Sequence, residues 1–282
     1  MTRTPLRHRL PMTRLRMAAA RAIYHPLHLF LRGDQHTIER GGITYEVDIS
    51  EGVDLSLYIF GSFQQHVLSA VQVPDDGIVF DVGANIGTVT LPLAQKIARG
   101  RVFAFEPAHH VFARLERNLA LNPELAARVT PVQTFLSDSV GDGSDLQAIA
   151  SWRVDGSADD AHPLSGGSAQ DASGVPATTL DSFCTDHNVS RVDFIKIDTE
   201  GYELDVLRGG VGILETHRPP VVFEIGLYGL TERGHSFSEF ESLFASLDYM
   251  LINTKTGRVV TAANHRHEVP ERSTTDLLAE PQ

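Results

Sequence analysis

Apolar positions along the chain fall into two regimes. From His36 to Leu57 they alternate with polar neighbours, as at Ile43, Tyr45, Val47 and Ile49, with Gly41-Gly42 as a turn. That spacing predicts short strands with one buried face. From Ile78 onward the pattern changes to a short apolar run, a glycine, then helical spacing. Strands are predicted over Ile78–Val82, Arg101–Phe105, Val129–Leu136, Val192–Ile197 and Val221–Ile225. Helices are predicted over Gly87–Ala98, His110–Leu121, Leu180–His187, Leu204–Gly209 and Phe237–Leu247. Tyr249–Asn253 and Arg258–Thr261 read as a closing hairpin turned at Thr256-Gly257. Strands alternating with helices imply right-handed crossovers and a mainly parallel sheet covered on both faces, an α/β fold.

The same pattern divides the chain into a basic extension (1–33), strands and a helix (34–77), a main domain (78–264) and a polar tail (265–282). An interruption at 140–178, rich in Gly, Ser, Ala and Asp, reads as a flexible insertion after a strand's carboxyl end, a candidate lid. The 282 residues, 42% hydrophobic and 21% charged, suffice for a large core. The most apolar stretch, Ala18–Leu31, is broken by Arg21, His25, Pro26 and His28, so no membrane span is expected. A lone cysteine, Cys184, excludes an intramolecular disulfide and a cysteine-built metal cluster, and fits a cytoplasmic location.

Charge is unevenly placed. Residues 1–33 hold seven Arg and no acid, so a chain of net charge −12 carries −19 on the remainder. An acidic body argues against a nucleic-acid partner. The basic head is either a ragged terminus or a surface for an anionic partner.

Candidate chemistry begins at Asp81-Val82-Gly83-Ala84-Asn85-Ile86-Gly87, where a buried strand runs into a glycine turn and a helix. Ligands of open α/β sheets bind beyond such strand ends, so Asp81, Gly83 and Gly87 are expected to face a cleft. A dinucleotide asks for G-x-G-x-x-G, one glycine more, and Asp81 would repel its diphosphate. A ligand with an ammonium and a sulfonium suits the carboxylate better, which favours S-adenosylmethionine over NAD. Glu106, after the second strand, stands where a ribose-binding acid belongs. Asp138, beyond the third strand, is a candidate acceptor for an adenine amino group, or simply a turn residue. In Asp193–Gly201, alternation puts Phe194, Lys196 and Asp198 on one face and Ile195 and Ile197 on the other. A lysine in a central strand needs a carboxylate partner, and Glu224 is a candidate.

These strings, with Phe105-Glu106-Pro107, Asn118-Leu119-Ala120-Leu121-Asn122, Thr179-Leu180-Asp181 and Lys196-Ile197-Asp198-Thr199-Glu200-Gly201, resemble the FkbM family of S-adenosylmethionine-dependent methyltransferases. The resemblance runs from about Gly61 to Ile225. It implies a seven-stranded Rossmann-like class I sheet and O-methylation of a sugar, glycan or natural-product hydroxyl. It assigns Asp81, Gly83, Asn85 and Gly87 to the cofactor turn, Glu106 to the ribose, and Asp198 and Glu200 to the neighbourhood of the reacting centre. One departure stands out: family members often carry Gly-x-(aromatic)-Glu before the first strand, where this chain has Gly61-Ser62-Phe63-Gln64.

Methylating a hydroxyl calls for a base, and Asp198, Glu200, Glu224 and His235 are the candidates. Mg²⁺ held by Asp198, Glu200 and another acid is a less favoured variant. His265-Arg266-His267-Glu268 reads as a solvated segment rather than a metal site. The rival functions are a non-catalytic binding protein of the same fold and a NAD-dependent oxidoreductase. Acceptor choice falls to loops such as 140–178, and no code for an oligomeric state is visible.

Overall fold

The computed structural model describes residues 12–61, 64–150, 152–155, 167–271 and 273–282. Thirteen strands are defined among them. β1 (Gln35–Arg40) and β2 (Ile43–Asp48) form an antiparallel hairpin. β3 (Ile78–Val82), β4 (Arg101–Phe105), β5 (Val129–Val132), β10 (Phe194–Ile197), β11 (Val221–Ile225), β12 (Tyr249–Asn253) and β13 (Thr275–Pro281) build the central sheet. Two small pairs complete the set: β6 (Phe135–Leu136) with β9 (Ala177–Thr178), and β7 (Ala148–Ala150) with β8 (Ser168–Gln170).

The central sheet is seven-stranded in the order β12-β13-β11-β10-β3-β4-β5. All pairings are parallel except those of β13, which runs antiparallel to both neighbours. The chain winds outward from β3 to β4 and β5, then returns to place β10 on β3's other side. This creates a topological switch point between β3 and β10, where ligands of such sheets sit. The result is the Rossmann-like α/β architecture that the sequence predicts.

Alternation along each strand splits the core into two layers. On one face Phe80, Phe103 and Phe105 meet Phe183 edge-to-face, with ring centroids 4.8–5.8 Å apart. Helices Leu180–Asp186, Glu203–Arg208 and Phe237–Ser246 cover this face. The other face packs Val79, Val102, Phe194 and Val222 under helices Thr90–Lys96 and His109–Ala120 and under β2. β2 stays in place because Asn118 and Asn122 accept its backbone N–H groups from Glu46 and Thr44, at 2.7 and 2.9 Å. Those two asparagines are the polar members of the Asn118–Asn122 motif.

Three expectations need correction. The third strand does not run through to Leu136: it ends at Val132, and β6 leaves the sheet to pair with β9. Pro131 offers no N–H, which suits β5 to the sheet edge. Arg258–Thr261 is not a strand; it contributes one bridge, Ile252 to Val259, while β12 pairs with β13. Consequently 265–282 is no polar tail. It holds a helical turn, His265–Glu268, and β13, which lies between β11 and β12. Leu277 and Ala279 join one core layer and Leu278 the other, so this strand is buried on both faces and shows no alternation. A short apolar run of that kind, set among polar residues, carries no periodic signal.

The insertion at 140–178, expected to be a flexible excursion, is partly structured in its described residues. β7 and β8 pair as a hairpin, and in the connection between them stands Trp152, whose indole packs on Gly52 so closely that a Cβ there would come within 2.4 Å of the ring. Arg153 then pairs with Glu51 at 2.9 Å. Residues 156–166 of the insertion and Arg3, Arg7 and Arg9 of the basic head lie outside the described residues. Among the described residues no helix is long and apolar enough to cross a membrane.

β13 gives a direct test of this architecture. Leu277→Ala, at a fully buried position, should cost about 2–5 kcal/mol in urea unfolding. Ending the chain before Thr275 should abolish the cooperative transition.

Candidate active site

The register of β3 against β10 sets Lys196 beside Asp81 on one face. Both are buried, and a charge there must be fully satisfied. Lys196 Nζ donates to Val82 O at 3.1 Å and Gly83 O at 2.6 Å and forms an ion pair with Asp81 Oδ1 at 3.1 Å. Asp81 Oδ2 accepts from Thr90 Oγ1 at 2.6 Å. Burial alone would lower the lysine's pKa, but Asp81 and Asp198 outweigh it and raise the pKa above the ordinary value. The lysine therefore braces the carbonyls of the glycine turn, and its partner is Asp81, not Glu224 as the sequence suggested.

Beyond that brace the turn opens onto a cavity of about 360 Å³ at the carboxyl ends of β3, β4, β10 and β11. Gly83 has φ 75° and sits so near Asp198 O that a Cβ would approach it to 1.8 Å, so no other residue fits without moving the backbone. Glu106 forms the next wall. Its Oε2 accepts the Asn85 N–H at 3.0 Å and its Oε1 the Ala108 N–H at 3.1 Å. Each oxygen keeps a further lone pair for a hydroxyl. Burial pushes Glu106 up to about 7 despite those two amides.

Opposite lie Asp198, Glu200 and Glu224, with one oxygen from each within 4.8 Å of the others. Gln64 Nε2 donates to Asp198 Oδ2 at 2.7 Å, and Thr274 Oγ1 donates to Glu224 Oε1 at 2.6 Å. The turn carrying Glu200, at φ 53°, is pinned by Glu203, whose Oε1 accepts the N–H groups of Thr199 and Gly201. Burial first, then Asp198 and Glu203, raise Glu200 to about 8. Glu224 is raised well above the usual carboxylate range by burial and by Asp198, Glu200 and Asp276. Burial also lifts Asp198, against Lys196 and Gln64. Three oxygens so placed could hold a hard divalent cation, or could hold protons as paired acids.

The remaining walls come from segments without a signature motif. Gly52, Val53 and Ser56 approach from the helix Gly52–Phe60, and Leu146, Gln147, Ala148 and Trp152 from the insertion. Tyr202 OH accepts the Gln147 N–H at 3.0 Å, joining insertion to the β10 turn. Tyr228 and Thr274 close the far side. No spacing rule points to these residues; Gln64 alone was visible, as a departure from a familiar pattern.

Of the residues singled out in the sequence, Gly83, Asn85, Glu106, Asp198, Glu200 and Glu224 line this cavity. Four do not. Asp81 is wholly buried behind the turn rather than facing the cleft. Gly87 sits one turn further back, with Leu115 3.0 Å from where its Cβ would be. Asp138 is exposed and accepts from Ser139, because the chain leaves the sheet at β6 before reaching it. His235 faces Asp205 at 3.6 Å and Glu239 at 3.5 Å, and Ser236 beside it caps the helix Phe237–Ser246. Its surroundings account for the Gly234-His235-Ser236 sequence without catalysis.

A glycine turn and a pinned acid at the switch point of this sheet define a Rossmann-like protein with its ligand site at the strand ends. The family follows from comparison with known proteins. A profile described as "Methyltransferase FkbM domain" matches residues 81–251, and the chain belongs to the FkbM methyltransferase family. "Methyltransferase 1" of Beauveria bassiana is 32% identical over 153 residues, covering 48% of this chain and 59% of that protein. "Hexuronic acid methyltransferase AglP" of Haloferax volcanii is 31% identical over 146 residues, covering 51% of this chain and 54% of that one. The chain thus spans little more than half the length of these relatives. A crystal structure of an FkbM methyltransferase from Methylobacillus flagellatus aligns at 19% identity with a TM-score of 0.47, over 75% of this chain and 45% of that chain.

The Lys196 brace makes a sharp prediction. Lys196→Met leaves Asp81 buried without its cation and should cost about 3–5 kcal/mol in denaturant unfolding. Adding Asp81→Asn, which removes the orphaned charge, should restore most of that loss.

Proposed function

We propose that the chain transfers the methyl group of S-adenosylmethionine to a hydroxyl of a sugar, glycan or natural-product acceptor. The observation that carries this reading is Glu106. It is a buried side chain, acceptor-only once ionised, pinned by two amides, with unused lone pairs at the cavity wall beside the glycine turn. Vicinal ribose hydroxyls supply the donors it lacks. Phe135 and Leu136 offer the apolar wall that a purine needs, and the carboxylates of Asp198, Glu200 and Glu224 suit a ligand bearing an ammonium and a sulfonium.

When bound, S-adenosylmethionine supplies a methyl group on a positively charged leaving sulfur. The chain's own work is to position an acceptor oxygen in line with that methyl and to take its proton. Glu200, raised to about 8, is the best matched base, with Glu224 beside it as a second acceptor. His235 has no part in this reading. A hexuronic acid is the acceptor class in the name of one relative. The acidic wall favours the hydroxyl of a neutral sugar here, because a carboxylate close to Glu200 and Glu224 would be repelled.

Calorimetric titration tests the cofactor. S-adenosylmethionine should bind the wild type, and Glu106→Ala should weaken binding at least tenfold, about 1.4 kcal/mol. NAD binding in its place would favour an oxidoreductase. Binding of S-adenosylmethionine without turnover on any hydroxylated acceptor would favour a non-catalytic protein.

The pH profile tests the base. A group that must be ionised to accept a proton is lost as pH falls below its pKa. The rate should therefore decline below about pH 8, and Glu200→Gln should remove that limb and slow transfer about 100-fold or more. Activity unaffected by a chelator would fit proton transfer to the carboxylates, whereas loss restored by Mg²⁺ would assign them to a metal.

A further inference from the structure

The helix Met12–Leu31 is 20 residues long and presents two apolar faces, of which the body uses one. On the inner face Tyr24 is buried, and Ala20, Leu27 and Leu31 pack with it around Ile49, Leu55 and Val154. The anchoring is polar as well: Tyr24 OH and His28 Nδ1 both reach Asp34 Oδ1, at 3.0 and 2.7 Å. On the outer side Ile23, Leu29 and Phe30 are 43%, 77% and 83% exposed. The helix Gly52–Phe60, which packs against this one, adds Ile59 at 37% and Phe60 at 72%. Large exposed apolar side chains in the described residues are thus concentrated on two adjoining helices. Single exposed apolar residues need no explanation, but a concentration of them does.

Basic residues outnumber acids on the helix, and acids stand at its margin: Glu39 is exposed beside Arg40, and Asp48 and Asp155 are near enough to act on Tyr24. Residues 1–33 carry seven Arg and no acid. Arg21 and Arg32 are exposed on the helix and just past its end. Arg40 donates to Tyr58 O at 2.6 Å and lies against Gly61, next to Phe60. The first acid in the chain, Asp34, is already engaged by Tyr24 and His28. The rest of the protein carries −19.

We propose that this face docks the protein on an anionic lipid surface, with Leu29, Phe30 and Phe60 entering the headgroup boundary and the arginines meeting lipid phosphates. A basic helix with Phe and Leu on its free side is built to lie in the plane of a bilayer rather than cross it. Nucleic acid would satisfy the arginines and leave the apolar side chains in water. An anionic bilayer satisfies both and repels the acidic body, so attachment is confined to this face and has one orientation. Gly52 and Val53 at the other end of the helix that carries Phe60, Ser56 one turn before Phe60 and Gln64 just beyond it line the cavity. Docking therefore leaves about 6 Å of helix between Phe60 at the lipid and Ser56 at the cavity. This inference does not depend on the chemistry in the cavity.

Vesicle flotation with the full chain tests it. The protein should float with vesicles of phosphatidylcholine mixed with phosphatidylglycerol, stay behind with phosphatidylcholine alone, and be released by added salt. Leu29→Ser with Phe30→Ser should weaken binding about tenfold or more, the effect of withdrawing two apolar side chains, with an unchanged thermal melt. Arg21→Glu with Arg32→Glu should weaken it to a similar degree. Failure of the wild type to float with the anionic vesicles overturns the proposal, as does flotation that survives both double variants. So does a concentration-dependent dimer in sedimentation velocity that Leu29→Ser with Phe30→Ser abolishes, since the face would then belong to a second copy of the chain.

Discussion

The structure turns on one buried cation. Lys196 lies in a central parallel strand, where an unpaired charge would be intolerable, and it is held by two backbone carbonyls and the ion pair with Asp81. Those contacts join β10 to β3 across the switch point and hold the carbonyls of the turn from which the cavity is built. Asp81 is thereby drawn inward, and Asp198, 4.0 Å from the same ammonium, is left at the cavity wall. One ion pair thus settles which strand-end acids are structural and which face a ligand. The arrangement also explains why the motif at Asp81 and the motif at Lys196 belong together: each supplies what the other needs to be buried.

The same logic recurs around the site with neutral partners. Asn118 donates to Ile86 O and accepts from Glu46, so one side chain ties the glycine turn to the hairpin edge. Glu203 satisfies the N–H groups of the turn that carries Glu200. Glu106 does so for Asn85 and Ala108. Loops cannot be buried with open backbone donors, and here the polar side chains of the motifs close them.

Electrostatics then give the site its character. Gathering Asp198, Glu200 and Glu224 within hydrogen-bonding reach of one ligand atom raises the cost of ionising each. A cationic ligand would relieve that cost, and a proton would relieve it too. Gln64 adds a donor to Asp198 rather than a fourth negative charge.

The sequence by itself determined the α/β class, the places of β3, β4, β11 and β12, and the residues of the glycine turn. Each of these rests on local signals: unbroken apolar runs, glycine spacing and acids at strand ends. It also placed Phe194, Lys196 and Asp198 on one face, because the two-residue period of a strand is a local property. Only the tertiary structure decided that Lys196 pairs with Asp81, that His235 and Asp138 turn away from the cavity, and that the last residues form an inner strand. Those outcomes depend on strand order and register, which bring residues far apart in the chain side by side. β13 is the clearest case: buried on both faces and antiparallel, it carries no periodic pattern, and its place exists only once β11 and β12 leave a gap between them.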